Sequence, residues 1–523
     1  MKFPRYIILL LISLLILGCN RSQEKAFIDL KNAFVGWYLK SNPLISENFN
    51  QLENINGWRN YGIERVDEYF ADLHRFFIEL SQIDRSKLSS ELEFEYLILW
   101  SFLKNTLYRE DHLNPKQWNL NLWTNKLKSG LENLNLECGT LTAREEKIFK
   151  SRLNKLDIFS EQILNHLTMP VKSYTENGYL EINKLQNRIL TFLVECESDS
   201  NIYERWDTVL SSSYNLLTQL SAEIKNRTQS DYPLIEKDIW ENGYEEYFGQ
   251  YLDELTSVKE INKEIEITIE QMLNISIPLY LKDYDEPIWV SKQDTLQVIN
   301  TVFKSFNSLD IRNSEIVEQT YEIIDKLKKQ FKSIYFSNIK YPKFEISVGD
   351  SNSFYKSEYK TGFSKTYHAN FNIPQENDSA FVVNKTFLEY QIINEIFPGK
   401  LTLLSQNSKS NRLIKLLQNN QFIAGWELYI QDLILNSTFV NDNPKVALLM
   451  LENKLLSILK LKTQMEFMYS IDFKIDSSLL FSTNAKKSLN DFWHYPFPNL
   501  GFLLLNEILE LKEIYLEHKE NDI

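Results

Sequence analysis

The chain has 523 residues, 43% of them hydrophobic, with only 14 glycines and 13 prolines, so it can bury a large core and carries no tract of linker composition. Its formal net charge of −14 makes phosphate backbones repellent, and nucleic acid is excluded as an expected partner.

Lys2 and Arg5 form a short basic segment ahead of Tyr6 to Leu17, a run that is apolar apart from Tyr6 and Ser13. Spanning a bilayer takes roughly 20 apolar residues, so this run reads as the core of a cleavable signal. It ends in "ILGC", Ile16 to Cys19, which resembles a bacterial lipobox: a small Gly18 before the cut and a cysteine to receive lipid. The alternative is a plain signal peptide that contains a cysteine. The expected mature chain starts at a lipidated Cys19 and is tethered to a membrane of the cell envelope, outside the cytoplasm. Loss of residues 1 to 18 removes Lys2, Arg5 and no acid, which moves the net charge to −16.

Helical periodicity governs most of the mature chain. In residues 62 to 83, Ile63, Val66, Phe70, Leu73, Phe77 and Leu80 recur at steps of three and four, which predicts one amphipathic helix. Comparable patterns cover 90 to 107, 144 to 167, 203 to 226 and 250 to 274. Cys138 and Cys196 stand too far apart for zinc-ribbon spacing and are read as free buried thiols, with a single disulfide as the alternative. Thr320, Ile324, Leu327, Phe331 and Ile334 make a further stripe. The connection "SNIKYPK", residues 337 to 343, is the expected boundary between a helical N-terminal half from residue 19 to 340 and a C-terminal half from 341 to 523, the two forming one continuous domain.

Between residues 344 and 373 the period changes to two. Phe344, Ile346 and Val348 alternate with polar neighbours, as do Tyr367, Ala369, Phe371 and Ile373, with Gly349 and Asp350 as a turn. This predicts a small β-hairpin or sheet edge in a mainly α fold. Next comes a helix over 381 to 397, with Phe387, Leu388 and Ile392 facing inward, and helical patterns resume over 444 to 470 and 500 to 517.

The 381 to 397 helix ends in "NEIFPGK", Asn394 to Lys400. Pro398 removes a helical N–H and turns Phe397 away from helical geometry, while Gly399 permits a sharp turn. Positions 394 and 400 lie about 240° apart on a straight helix, so only such a break can bring them together.

This element resembles the HExxPGH motif of the bacterial family called domain of unknown function 885, helical proteins related to gluzincin metallopeptidases and often lipoproteins. "FIAGWELYIQDL", Phe422 to Leu433, is similar to that family's F-x-EGWALYxxxL element, about 30 residues downstream as the family has it. Weaker similarity covers "WNLNLWTNKLKSGL" from Trp118, "YPLIEKDIW" from Tyr232 and "YPFPNLGFLLL" from Tyr495. The resemblance implies a helical, cleft-bearing, zinc peptidase-like scaffold.

The departures fall on the metal. Zinc requires imidazole, thiolate or carboxylate donors, and its bound water becomes a nucleophile only through the ion. The positions that the resemblance marks as ligands hold Asn394, Lys400 and Ala424: a neutral amide, an ammonium and a methyl. Glu395 remains at the general-base position, and without a metal its retention does not imply hydrolysis. Lys400 is expected either to pair with Glu395 in the cation's stead or to remain solvated. Glu427, three residues after Ala424, is the one possible replacement carboxylate, yet no two of the histidines at 74, 112, 166, 368, 494 and 518 have ligand spacing. Tyr367, His368 and Trp426 are candidates for the cleft.

These readings predict an extracytoplasmic lipoprotein with a dead metal site, no cofactor, and a peptide or envelope protein as ligand. The alternatives are an active hydrolase, with relocated zinc or none, and a purely structural envelope protein.

Overall fold

The computed structural model describes residues 5–48, 57–131, 134, 138–197, 199–228, 258–283, 292–306, 315–332, 343–349, 355–356, 366–372, 385–400, 402, 413, 416–417, 420–469, 477–482, 485–486 and 489. The fold is mainly α. It divides into two compact units, the first comprising residues 1–232 with 411–417 and the second 233–410 with 418–523. The division thus falls after Tyr232 and not at 337 to 343, because helices from the 258–332 stretch pack against C-terminal ones.

In the first unit, α1 (Arg5–Ser41), which contains Cys19, precedes α2 (Pro43–Asn48), α3 (Ile63–Ser81) and α4 (Ser90–Tyr108). One apolar core joins Phe27, Phe34 and Leu39 of α1 to Leu73, Phe76 and Leu80 of α3 and Leu99 and Leu103 of α4, with Leu413, Leu416 and Leu417 added from far along the chain. The expected stripe on α3 is rotated: Phe76 is buried in place of the half-buried Phe77, and Ile63, at the first helical position, is 63% exposed. A helix's opening turn has no preceding turn to lean on, so its apolar residue can be left at the surface.

A second core is built from α5 (Leu120–Gly130), α6 (Ala143–Leu153), α7 (Leu156–His166), α8 (Lys172–Cys196) and α9 (Ser200–Arg227), around Trp123, Phe149, Phe159, Phe192 and Trp206. The single pattern over 144 to 167 is two helices. A capping box opens α6, in which Thr142 Oγ1 accepts from Glu145 N and Glu145 Oε2 accepts from Thr142 N.

Cys138 and Cys196 form a disulfide, with Cα atoms 5.3 Å apart, which corrects the expectation of free thiols. Their sequence separation of 58 gave no framework signal, because the proximity comes from α8 returning its C-terminus to the turn that holds Cys138.

The second unit contains α10 (Val258–Asp283), α11 (Lys292–Lys304), α12 (Ile316–Lys332), α13 (Lys385–Gln391), α14 (Asn420–Leu435), α15 (Phe439–Asp442) and α16 (Pro444–Tyr469). Helix α16 packs on α10, α13 and α14, so it forms the floor beneath the motif. On α12, Thr320, Ile324, Leu327 and Phe331 are buried as the periodicity predicts.

The strands are β1 (Lys343–Gly349), β2 (Tyr355–Lys356) and β3 (Thr366–Asn372), in the order β1-β3-β2. Strand β1 is a sheet edge, but it is not one arm of a hairpin with β3: the two run parallel, Phe344 opposite Tyr367 and Glu345 opposite His368. The antiparallel partner of β3 is the two-residue β2. A tight turn can join only antiparallel strands, and the chain between β1 and β3 is long enough for a crossover.

Candidate functional site

The site forms where α13 ends. After Gln391 the backbone widens into a π-helical turn, Ile392–Ile396, and Phe397 N donates to Ile392 O over 2.9 Å, five residues back. Phe397 is extended, and the Phe397–Pro398 bond is cis. The chain then folds back onto its own helix end. A Cβ at Gly399 would lie 1.8 Å from Asn394 O and 2.4 Å from Ile393 O, so no residue but glycine fits. Thr402 Oγ1 donates to Ile396 O at 2.9 Å and holds the return in place.

Two hydrogen bonds tie this turn to α14, the helix of "AGWELY". Trp426 Nε1 donates to Pro398 O at 3.3 Å, and Gln431 Nε2 donates to Asn394 Oδ1 at 2.8 Å. The two sequence motifs therefore meet in space. Asn394 is 6% exposed and further engaged by the Tyr390 hydroxyl, while Gln431 Oε1 accepts from Asn453 Nδ2 of α16 at 3.4 Å. The result is a buried polar chain running from α13 through α14 to α16, which satisfies groups that would otherwise be costly to bury.

Beside that chain is a charge cluster. Lys400 Nζ lies 3.9 Å from Glu395 Oε2, an ion pair with both side chains about four-fifths buried, so the structure brings together the two residues whose pairing the sequence left open. Glu427, one turn along α14 from Ala424, faces the same pair. Burial and then the negative charge of Glu395 push its carboxyl up to about 8, against the opposing pull of Lys400 and of Lys460 from α16. Tyr390 is pushed above the tyrosine range by burial and by the charge of Glu427. Deeper on α16, Glu452 accepts from Phe481 N at 2.7 Å and Ser482 N at 2.6 Å. Burial raises its carboxyl, and these donors oppose the rise.

As a donor set this arrangement does not fit zinc. Asn394 spends its amide oxygen on Gln431, Lys400 offers an ammonium beside Glu395, and Ala424 has no lone pair. Among the described residues no group of three or more His, Cys, Asp or Glu is arranged to hold a metal. What the arrangement can do is hold a proton on Glu427 near neutral pH next to the paired Glu395.

Tyr367 and His368 lie in β3, and their side chains are outside what the structure describes, as is His494. Nothing in the sequence motifs singles out Tyr390, Asn453 or Lys460. For Gln431 a signal exists: it follows Ala424 by seven and Glu427 by four, so all three share one face of α14, and a buried glutamine on that face needs a partner.

Two solved structures share the fold. A candidate lipoprotein of unknown function from Shewanella oneidensis superposes with a TM-score of 0.71 at 15% identity, over 95% of either chain. A candidate lipoprotein from Colwellia psychrerythraea gives a TM-score of 0.65 at 13% identity, over 92% of this chain and 93% of that one. At such identities the likeness is one of fold. No protein-family model matches the sequence, and no curated protein does.

Proposed function

We propose that the chain is a lipoprotein of the cell envelope, anchored through Cys19, that keeps a metallopeptidase-like scaffold without its metal and uses the cleft to bind a peptide or protein segment. The observation that carries this reading is the meeting of the two motif elements through Trp426 with Pro398 and Gln431 with Asn394, while the former ligand positions are occupied by a hydrogen-bonded amide and an ion-paired lysine. Lys400 supplies the positive charge that a cation would have placed beside Glu395. Binding needs shape and a few polar anchors, which survive the loss of a nucleophile. Both fold neighbours are described as candidate lipoproteins, in keeping with the "ILGC" segment.

The test is to rebuild the metal site. The protein as it stands should contain no stoichiometric zinc after purification, and the triple variant Asn394→His, Lys400→His, Ala424→Glu should bind one zinc per chain. Failure of the folded triple variant to take up zinc would remove the metallopeptidase-like scaffold. Stoichiometric zinc in the unaltered protein, lost on Glu427→Ala, would replace the pseudoenzyme reading with a relocated metal site. Binding is tested with a random-sequence peptide library, in which retention of a defined peptide class is expected and uniform absence of retention counts against a binding role.

A second reading is favoured by Glu427 alone. A carboxyl held at about 8 beside another carboxylate is a pattern of acid/base pairs, so a metal-independent hydrolase is the alternative. Turnover of peptide or ester substrates that disappears in both Glu427→Gln and Glu395→Gln would establish it.

A further inference from the structure

The first unit contains a cavity of about 240 Å³ between the ends of α1 and α4, the start of α3 and the face of α5. One buried water needs only about 10–15 Å³ by the same measure, so a small organic molecule fits. Four cations line it, Arg59, Arg109, Lys116 and Lys126, against the single carboxylate of Glu110. In a chain of net charge −14 this surplus is local and unusual.

Two of these four cations are matched by no carboxylate within the described protein. Glu110 is shared by Lys116 at 2.6 Å and Arg109 at 3.5 Å. Arg59 and Lys126 have no carboxylate partner among the described residues. The Arg59 guanidinium carbon lies 3.5 Å from the centre of the Tyr69 ring and 4.9 Å from that of Tyr61, and one of its nitrogens donates to Asn42 Oδ1 at 3.3 Å. The ammonium of Lys126 lies 5.3 Å from the Tyr61 ring centre. Stacking fixes the arginine fork and leaves its charge unmatched. The field of these groups is felt by the walls. Burial alone would raise the Tyr61 phenol, but Lys126 and Arg59 outweigh it and hold the phenol below the usual tyrosine range. Lys116 is held below the usual lysine range by burial, with Glu110 opposing.

We infer that this cavity is a binding site for a small aromatic oxyanion, an aryl phosphate or aryl carboxylate, whose anionic head meets Arg59, Arg109 and Lys126 and whose ring lies against the tyrosine walls. A planar fork matches two oxyanion oxygens at once, and the aromatic lining supplies the apolar contact for a ring. The site is separate from the motif in the second unit and does not depend on how that motif is read.

Calorimetric titration of the full mature protein with phenyl phosphate, benzoate, inorganic phosphate and benzyl alcohol tests the inference. Phenyl phosphate or benzoate should bind in a salt-sensitive manner, with neutral benzyl alcohol roughly tenfold or more weaker. Arg59→Gln should weaken binding by roughly tenfold or more. A second variant, Lys126→Gln, should weaken it by a smaller factor, and both should keep their helical circular dichroism. Should Arg59→Gln fail to fold, Lys126→Gln carries the test. Absence of binding by both aryl anions at millimolar concentration, equal binding of benzyl alcohol, or undiminished binding by a folded Lys126→Gln would overturn it. Inorganic phosphate binding as tightly as phenyl phosphate would overturn its aromatic part.

Discussion

The motif site and the cavity of the first unit both gather lysines and carboxylates among tyrosines, yet their charge balance differs. At the motif, Glu395 pairs with Lys400, and Glu427, which also feels Lys460, is pushed up to about 8 and so holds its proton near neutral pH. In the cavity, Glu110 stands alone among four cations. A buried cluster can settle its charges internally, by ion pairing as Glu395 does with Lys400 or by keeping a proton as Glu427 does. An unbalanced one keeps a field that only a ligand or solvent can answer. The motif is accordingly built around hydrogen-bond anchors, and the cavity around charge.

The motif's balance should break most severely at Gly399. Gly399→Ala would drive a methyl into the Asn394 carbonyl, and a loss of about 4 kcal/mol or more is expected in denaturant unfolding. The cavity's unit has its own point of fragility. Replacing Cys138 and Cys196 with serine should cost about 4 kcal/mol by the loop-entropy relation for a separation of 58, and the unreduced protein should show neither thiol to a thiol reagent even after unfolding, both reacting only once a reductant is added.

Glu427→Gln is expected to sharpen the contrast through pH. Because the folded carboxyl titrates at about 8 and the unfolded one near 4.5, the folded state holds the proton longer. Stability is therefore lost as pH rises from about 4.5 to about 8, and it is level outside that window. Glutamine, which never ionises, should raise stability on the order of 3 kcal/mol at pH 8 and leave it nearly unchanged at pH 4. Thermal melts at the two pH values check the sign; a greater gain at pH 4 would mean that Glu427 is stabilised as an anion by Lys400 and Lys460. The smallest effect is expected at Gln431. Gln431→Ala strands the Asn394 carboxamide at a cost of about 1–3 kcal/mol, and Gln431→Glu should restore less than half of it, since Asn394 Oδ1 needs a donor.

Much of the second unit is legible in the sequence because periodicity records burial. Thr320, Ile324, Leu327 and Phe331 of α12, Leu388 of α13 and Ile392 of the turn after it are buried where a 3.6-residue repeat places them. The same rule errs by one position on α3, where Phe76 and Phe77 are both apolar and only the neighbours decide which turns inward. Pattern is silent on strand direction, since a strand alternates in the same way whether its partner runs parallel or antiparallel. Charge clusters are less legible still. Lys400 stands out because a motif singles it out, whereas Arg59, Arg109, Lys116 and Lys126 come from separate segments with nothing in their spacing to join them.

The amino-acid sequence by itself determined the helical class, the break at Pro398-Gly399 and the chemical unsuitability of Asn394, Lys400 and Ala424 as a zinc set, because each depends on local geometry or on the donor atoms a side chain carries. Tertiary structure alone decided that Cys138 meets Cys196, that Gln431 reaches Asn394, that Glu427 shares its surroundings with Glu395 and Lys400, and that four cations and one carboxylate line a single cavity. Those facts depend on distances between remote segments, which are set by how the helices pack and not by the order in which their residues are written.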